Sequence, residues 1–232
     1  MNVLVILPIH RDDAVNPWIL KPLAGRSALE RTIDHAKEFG RQPGVTLVIA
    51  VATNDPLIRD ALADHDDVHL SHRLAEDLHG ALREALASTE EQFQRQFDLV
   101  AVLEPLQPFR PANLAAEAFE MLTANSDIDS VVCVEKLHGR IWSGDGSHEP
   151  IADSYHRDGG TPAHPYRELV GLMLLARRDV IRRARRVGER VGLLVVDRKW
   201  GFVDVRSEES FALAERVEVL YCGPRVVEGD VT

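Results

Sequence analysis

Lysine is scarce in this 232-residue chain: only Lys21, Lys37, Lys136 and Lys199 occur, and 27 Lys+Arg against 37 Asp+Glu leave a formal charge of −10. The basic footprint of a duplex nucleic-acid binder is therefore missing. A small phosphorylated ligand needs only a local positive site, and here that site is expected to rest on Arg, backbone N–H groups or Lys21. Cysteine is nearly absent too. Cys133 and Cys222 are too few for a disulfide framework, and no Cys-x-x-Cys pair points to zinc. Cys133 sits in the apolar run Ser130–Val134 and reads as a buried small hydrophobe. The apolar stretch Met1–Pro8 is too short to span a membrane and lacks the basic leader of a signal peptide, so the chain reads as cytoplasmic with no membrane partner. With 45% hydrophobic and 28% charged residues, a disordered or collagen-like chain is excluded. The length suits one α/β domain, with no repeat or interdomain linker.

Short apolar runs alternate with helical patterns. Val3–Leu7, Val45–Val51, Val68–Leu70, Asp98–Leu103 and Ser130–Val134 read as strands buried on both faces. A polar loop is expected over Pro8–Gly25. Ser27 and Glu30 spell a capping box for a helix ending near Gly40. Further helices are expected from Asn54 to Ala63, from Leu74 to Phe93 and from Pro111 to Ala124. The pattern breaks at Leu137. His138–Pro165 is rich in Gly, His, Pro and Asp, the composition of a functional or interface loop. Regularity returns with a strand over Leu169–Leu175, a helix over Arg178–Arg186, strands at Gly192–Val196 and Phe202–Val205, and a helix capped by Ser207. Strands alternating with helices predict a parallel sheet with helices on both faces.

In such sheets ligands bind beyond the carboxyl ends of the strands. That rule singles out Pro8–Lys21, Thr53–Asp55, Glu104–Arg110, the loop after Val134, and Asp204. The order of these segments resembles a family, the acylneuraminate (CMP-sialic acid) and Kdo cytidylyltransferases. Lys21-Pro-Leu-Ala-Gly-Arg-Ser27 is similar to their K-P-L-x-G-K/R. Val100–Arg110 is similar to V-x-L-Q-P-T-S-P-L-R, Leu74–Asp77 to L-A-x-D, Tyr166–Glu168 to Y-R-x-N-G, and Val203–Phe211 to V-D-I-D-T-x-E-D-F. The matches run in order from about Asn2 to Val217.

The resemblance implies a three-layer, mainly parallel, Rossmann-like sheet of the nucleotide-diphospho-sugar transferase (GT-A-like) type. It implies a single domain over residues 1–232, with residues 137–168 an inserted, protruding dimerisation segment. It also implies a nucleotidyltransferase that joins CTP to the hydroxyl of a sugar acid, or of another anionic acceptor such as a phosphonate, and releases pyrophosphate. The first loop would cradle the triphosphate through backbone N–H groups, and an acidic pair would hold Mg²⁺. Residue by residue, Arg11 and Lys21 would hold phosphates and Asp204 the metal. Gln107, Tyr166 and Arg167 would contact base or acceptor, His10 or Arg11 would stand in for the family's loop arginine, and Arg110 would also bind substrate. A homodimer is implied, its partner reached by a segment carrying Trp142, Tyr155, His156, Arg157 and His164.

The departures fall where the chemistry belongs. The first loop has no glycine and carries Asp12 and Asp13, and Trp18 stands where the family keeps a lysine. The family's D-I-D becomes Asp204-Val-Arg206, and its motif glutamine becomes Glu104. In one reading the site is rewired: Glu104 joins Asp204 on the metal, and Arg11, Arg110 or Arg206 take phosphate contacts. In the other, catalysis is lost and the chain is a silent homologue that binds a nucleotide or a protein. His79 reads as a surface helical residue, and the arginines from Arg177 to Arg186 as a solvated, salt-bridging face. Asp127-Ile-Asp129 spells the D-x-D of glycosyltransferases but precedes its strand, at the wrong end of a sheet for a ligand.

Overall fold

A computed structural model describes residues 1–12, 14–138, 140–142, 152–153, 165–197 and 200–222. The apolar runs become strands that bury both faces. β1 (Asn2–Ile9) leads through α1 (Asn16–Leu20), the two-residue strands β2 (Pro22–Leu23) and β3 (Arg26–Ser27), and α2 (Ala28–Lys37) to β4 (Thr46–Thr53). The expected polar loop therefore holds a short helix and a small hairpin, β2 antiparallel to β3. The capping box forms: Ser27 Oγ accepts from the Glu30 N–H, and Glu30 accepts from the Ser27 N–H. Then come α3 (Pro56–Ala61), β5 (His69–Ser71), α4 (Leu78–Phe93), β6 (Leu99–Val102), α5 (Leu114–Ala124) and β7 (Ser130–Lys136). α4 starts four residues later than expected, because Asp77 caps it through the Gly80 N–H.

β8 (Arg140–Ile141) and β9 (Ala152–Asp153) form an isolated hairpin, followed by β10 (Tyr166–Glu168), β11 (Leu174–Arg177), α6 (Arg178–Arg182), β12 (Val191–Val195) and α7 (Glu208–Val217). Two expected strands differ. Leu169–Leu175 is interrupted: β10 and β11 both run antiparallel to β7, and residues 169–173 turn out between them. Phe202–Val205 forms no strand; among the described residues its backbone tie to the sheet region is the Val205 N–H donating to the Leu106 carbonyl. The Arg-rich helix also ends early, at Arg182, before Ala184 adopts φ 53°.

The main sheet has the order β10-β7-β11-β6-β1-β4-β5, with β12 on β7. β1, β4, β5 and β6 are parallel, as are β7 and β12, while β11 lies antiparallel between β6 and β7. The sheet is thus mixed but mostly parallel, with helices on both faces. Alternation of side chains builds two cores. Val3, Val5 and Leu7 face α2 and α5, and Leu4 and Ile6 face α4 and α6. Each fully buried aliphatic side chain contributes about 1.5–3 kcal/mol. A third, smaller core lies under α7, where Phe211, Val203, Val205, Phe109 and Leu23 meet.

Candidate functional site

Beyond the carboxyl ends of β1 and β6 opens a cavity of about 310 Å³. The first loop lines it with Pro8–His10, Asp12, Val15, Asn16 and Ile19; the turn after β5 adds Arg73, and the start of α4 adds Leu78. Glu104, Pro105 and Leu106 come from the end of β6, and Arg206 from the stretch before α7. Of the residues singled out as site candidates from sequence, His10 and Glu104 meet here, with Arg206, the alternative phosphate contact.

The first loop holds its shape by its own bonds. The Ala14 and Val15 N–H groups donate to Asp12 Oδ1 at 3.0 and 3.2 Å, and those of Val15 and Asn16 donate to the Asp12 carbonyl. These N–H groups are engaged within the loop, so they form no open cradle for phosphate. Asn16, buried, donates through Nδ2 to the His10 carbonyl at 2.9 Å and to Asp55 Oδ2 at 2.5 Å. Asp55 in turn caps α3 through the Leu57 N–H. This chain of bonds ties the end of β1 to the end of β4.

Arg73 is only 6% exposed. Its Nε donates to the Ala75 carbonyl and its Nη2 to that of Glu76 at 3.0 Å, leaving Nη1 without a hydrogen bond among the described residues. Burial pulls its pKa below the usual arginine value, against the pull of Asp77 and Glu84. Arg206 donates through Nε to Asp204 Oδ2 at 2.6 Å. Glu104 is pressed by the turn at Gly171, whose φ of +88° suits glycine. A Cβ there would lie 2.9 Å from Glu104 Oε2.

The other candidates are held elsewhere. Lys21 lies over two aromatic rings, its Nζ 4.7 Å from the Trp18 centroid and 4.3 Å from that of Phe211. Arg110 is half-buried. Nε donates to Leu172 O, Nη1 to Thr32 Oγ1 and Gln107 O, and Nη2 to Glu104 O and Gly171 O. All five donors are engaged, and burial pushes its pKa down to about 9. Gln107 is buried beside it, with Oε1 lacking a partner among the described residues. Arg167 pairs with Glu135 across the β10–β7 ladder and leans on Phe202, and Tyr166 is exposed on the same strand. Arg11 is exposed and outside the cavity lining. Asp129 of the D-x-D lies at the opposite end of the sheet, accepting from the Glu189 and Arg190 N–H groups. Trp142 is exposed; Tyr155, His156, Arg157 and His164 lie outside the described residues.

The acidic pair expected to hold Mg²⁺ is not assembled as a donor set. Asp204 faces Arg206 and does not line the cavity, whereas Glu104 does. Among the described residues no group of three or more His, Cys, Asp or Glu is placed to hold a metal ion. A hard divalent cation favours clustered oxygen donors, and no such cluster stands preformed among the described residues. Arg73 was not singled out from sequence. The strand-end rule applied to Val68–Leu70 points straight at it.

No known protein family's sequence model matches the chain, and no curated protein sequence does. Solved structures do share its shape. A 4-diphosphocytidyl-2C-methyl-D-erythritol synthase from Anaerococcus prevotii is 15% identical with a TM-score of 0.66, over 92% of this chain and 94% of that one. A CMP:2-keto-3-deoxy-manno-octonic acid synthetase complexed with CTP is 12% identical, with a TM-score of 0.64 over 94% and 99% of the chains. A further 4-diphosphocytidyl-2C-methyl-D-erythritol synthase is 11% identical with a TM-score of 0.62, over 93% and 98%. At these identities the likeness establishes the fold. No helix among the described residues is long and apolar enough to cross a membrane.

Proposed function

We propose that the chain is a cytidylyltransferase-like protein that takes CTP in the cavity at the ends of β1 and β6. It would transfer CMP to the hydroxyl of a sugar acid or a similar anionic acceptor. The acceptor oxygen attacks the α-phosphorus in line, the bond to the bridging oxygen of the β-phosphate breaks, and pyrophosphate leaves. Glu104 accepts the hydroxyl proton, and His10, Arg73 and Arg206 face the phosphate charge. The observation that carries this reading is the cavity itself. Two arginines, a histidine and two carboxylates converge beyond the strand ends, where open α/β sheets take their ligands. The solved structures of the same shape include synthetases named for cytidylyl products, one of them complexed with CTP.

The ion pair of Asp204 with Arg206 supports a second reading, a silent homologue that binds nucleotide without turning it over. Thermal shifts with CTP, UTP, ATP, GTP and CMP, followed by pyrophosphate release with candidate acceptors, separate the two. CTP at a hundred times its Kd should stabilise the fold by about 2.7 kcal/mol. In an active protein Glu104→Gln should cut turnover by about a hundredfold or more. No response to any nucleotide would sink both readings.

Residues 137–168 are proposed to meet a second copy of the chain in a homodimer. A solution mass of one chain at every concentration would overturn that proposal.

A further inference from the structure

We propose that this cavity neutralises phosphate charge with guanidinium groups alone, and that it binds a nucleotide without a divalent cation. The inference rests on the reading of the cavity as a nucleotide site. Three observations lead to it. First, Arg206 lines the cavity and its Nε is fixed on Asp204 Oδ2 at 2.6 Å, so Asp204 already holds a cation that belongs to the chain. Its Nη1 and Nη2 make no other hydrogen bond among the described residues and form the outer edge of the fork. Second, Arg73 lines the same cavity at 6% exposure, held through Nε and Nη2 on two backbone carbonyls, with Nη1 unpartnered. Third, no group of three or more His, Cys, Asp or Glu among the described residues is placed to hold a metal ion, and Asp12, the second carboxylate lining the cavity, already accepts from the Ala14 and Val15 N–H groups.

Two guanidinium groups steadied by the protein meet the requirements of phosphate recognition: fixed charge, several donors in one plane, and little freedom to lose on binding. A metal ion entering beside Arg206 would face a positive charge already in place, with Asp204 engaged.

Isothermal titration of the full chain with CTP and CDP, in EDTA and in Mg²⁺, tests this. Affinity in EDTA should lie within about threefold of that in Mg²⁺. Arg206→Gln should weaken binding by about tenfold to a hundredfold in either condition, the range of a lost charge-assisted contact. Arg206 is exposed, so this variant should keep its thermal midpoint. Arg206→Asp places a second carboxylate two residues from Asp204, and its residual CTP binding should require Mg²⁺. Wild-type binding that falls more than tenfold in EDTA overturns the inference and leaves the nucleotide reading standing. Arg206→Gln binding like wild type overturns it as well. If neither nucleotide binds in either condition, the nucleotide reading fails and the inference fails with it.

Discussion

The two ends of the sheet each carry a concave, arginine-bearing surface. At the amino ends of β6 and β7 a groove of about 490 Å³ is lined by Arg177, Arg178, Arg183 and Arg185, with Asp98, Asp129, Asp179 and Glu189 among them. At the carboxyl ends the smaller cavity of about 310 Å³ has only Arg73 and Arg206. By size and arginine count the amino end would be the anion site. The bonds reverse that ranking. Arg177 closes the end of α5, donating to the Leu122, Asn125 and Ile128 carbonyls. Arg178 grips Glu90 with two bonds at 2.7 and 2.8 Å, and Arg185 stands 3.7 Å from Glu189. These three are fastened to the fold by acids and carbonyls, while Arg183 is exposed and makes no side-chain hydrogen bond or ion pair among the described residues. Arg73 and Arg206 are fastened too, but through only part of each guanidinium, and both line the cavity. Which nitrogens remain uncommitted decides what a basic surface can bind; how many arginines it holds does not.

The comparison breaks hardest at Arg110, which lies under the carboxyl-end cavity and is wholly structural. Arg110→Met should remove about 3–5 kcal/mol, because the carbonyls of Glu104, Gln107, Gly171 and Leu172 all lose the guanidinium in a half-buried setting. The urea midpoint reads this directly, and an unchanged midpoint would refute the clasp.

Next in size is a pH effect confined to the carboxyl-end side. Burial, with Arg110 nearby, pushes the pKa of His35 on α2 from 6.5 down to about 3. The unfolded chain therefore binds the proton first. Stability is fully present above pH 6.5 and falls as pH drops toward 3, by about 2 kcal/mol between pH 7 and pH 5. His35→Gln should flatten that slope in chemical denaturation across the same range.

The amino end responds only to stronger acid. Burial alone would raise the pKa of Glu90, but the bonds from Arg178 and the Phe97 N–H hold it below 4.5. Its contribution is present above that value and is lost as pH falls through the folded pKa. Glu90→Gln should cost about 1–2 kcal/mol at pH 7 and leave the slope between pH 7 and pH 5 unchanged. A slope that moved with Glu90 would erase the distinction between the two ends.

The smallest effect belongs to Lys21. Lys21→Ala should cost about 0.5–1 kcal/mol, the worth of an exposed cation over aromatic rings. Nucleotide affinity should change by less than about threefold. A larger loss of affinity would return Lys21 to the cavity.

Much of the fold was legible in the alternation of apolar runs and helical patterns, because β1, β4, β6 and β7 are buried on both faces and so read as unbroken Val, Ile, Leu and Ala. The strand β11 was legible only in part. Gly171 and its turn interrupt Leu169–Leu175, and they leave Val170 exposed inside an otherwise apolar run. The site was harder. His10 and Glu104 follow directly from their strands, but Lys21, Arg110 and Arg167 rest on the motifs that resemble the family's. Their rings, carbonyls and acid partners come from segments distant in sequence. Trp18 and Phe211 stand far apart in the chain, and only packing shows that Lys21 lies over both.

The place of β11 has a consequence for how the chain reaches this state. β6 and β7 are consecutive strands, yet they are not neighbours; β11 lies between them, antiparallel to both. As the chain is made, β6 and β7 appear first and must stay apart until residues 174–177 arrive. Direct pairing of β6 with β7 would be a trap of lower contact order, faster to form and wrong. The turn at Gly171 and the Arg110 clasp are complete only once β11 is seated. The cavity wall at Glu104 is therefore among the last parts to set, and a nascent chain cut short before β11 would carry a sheet with its centre open.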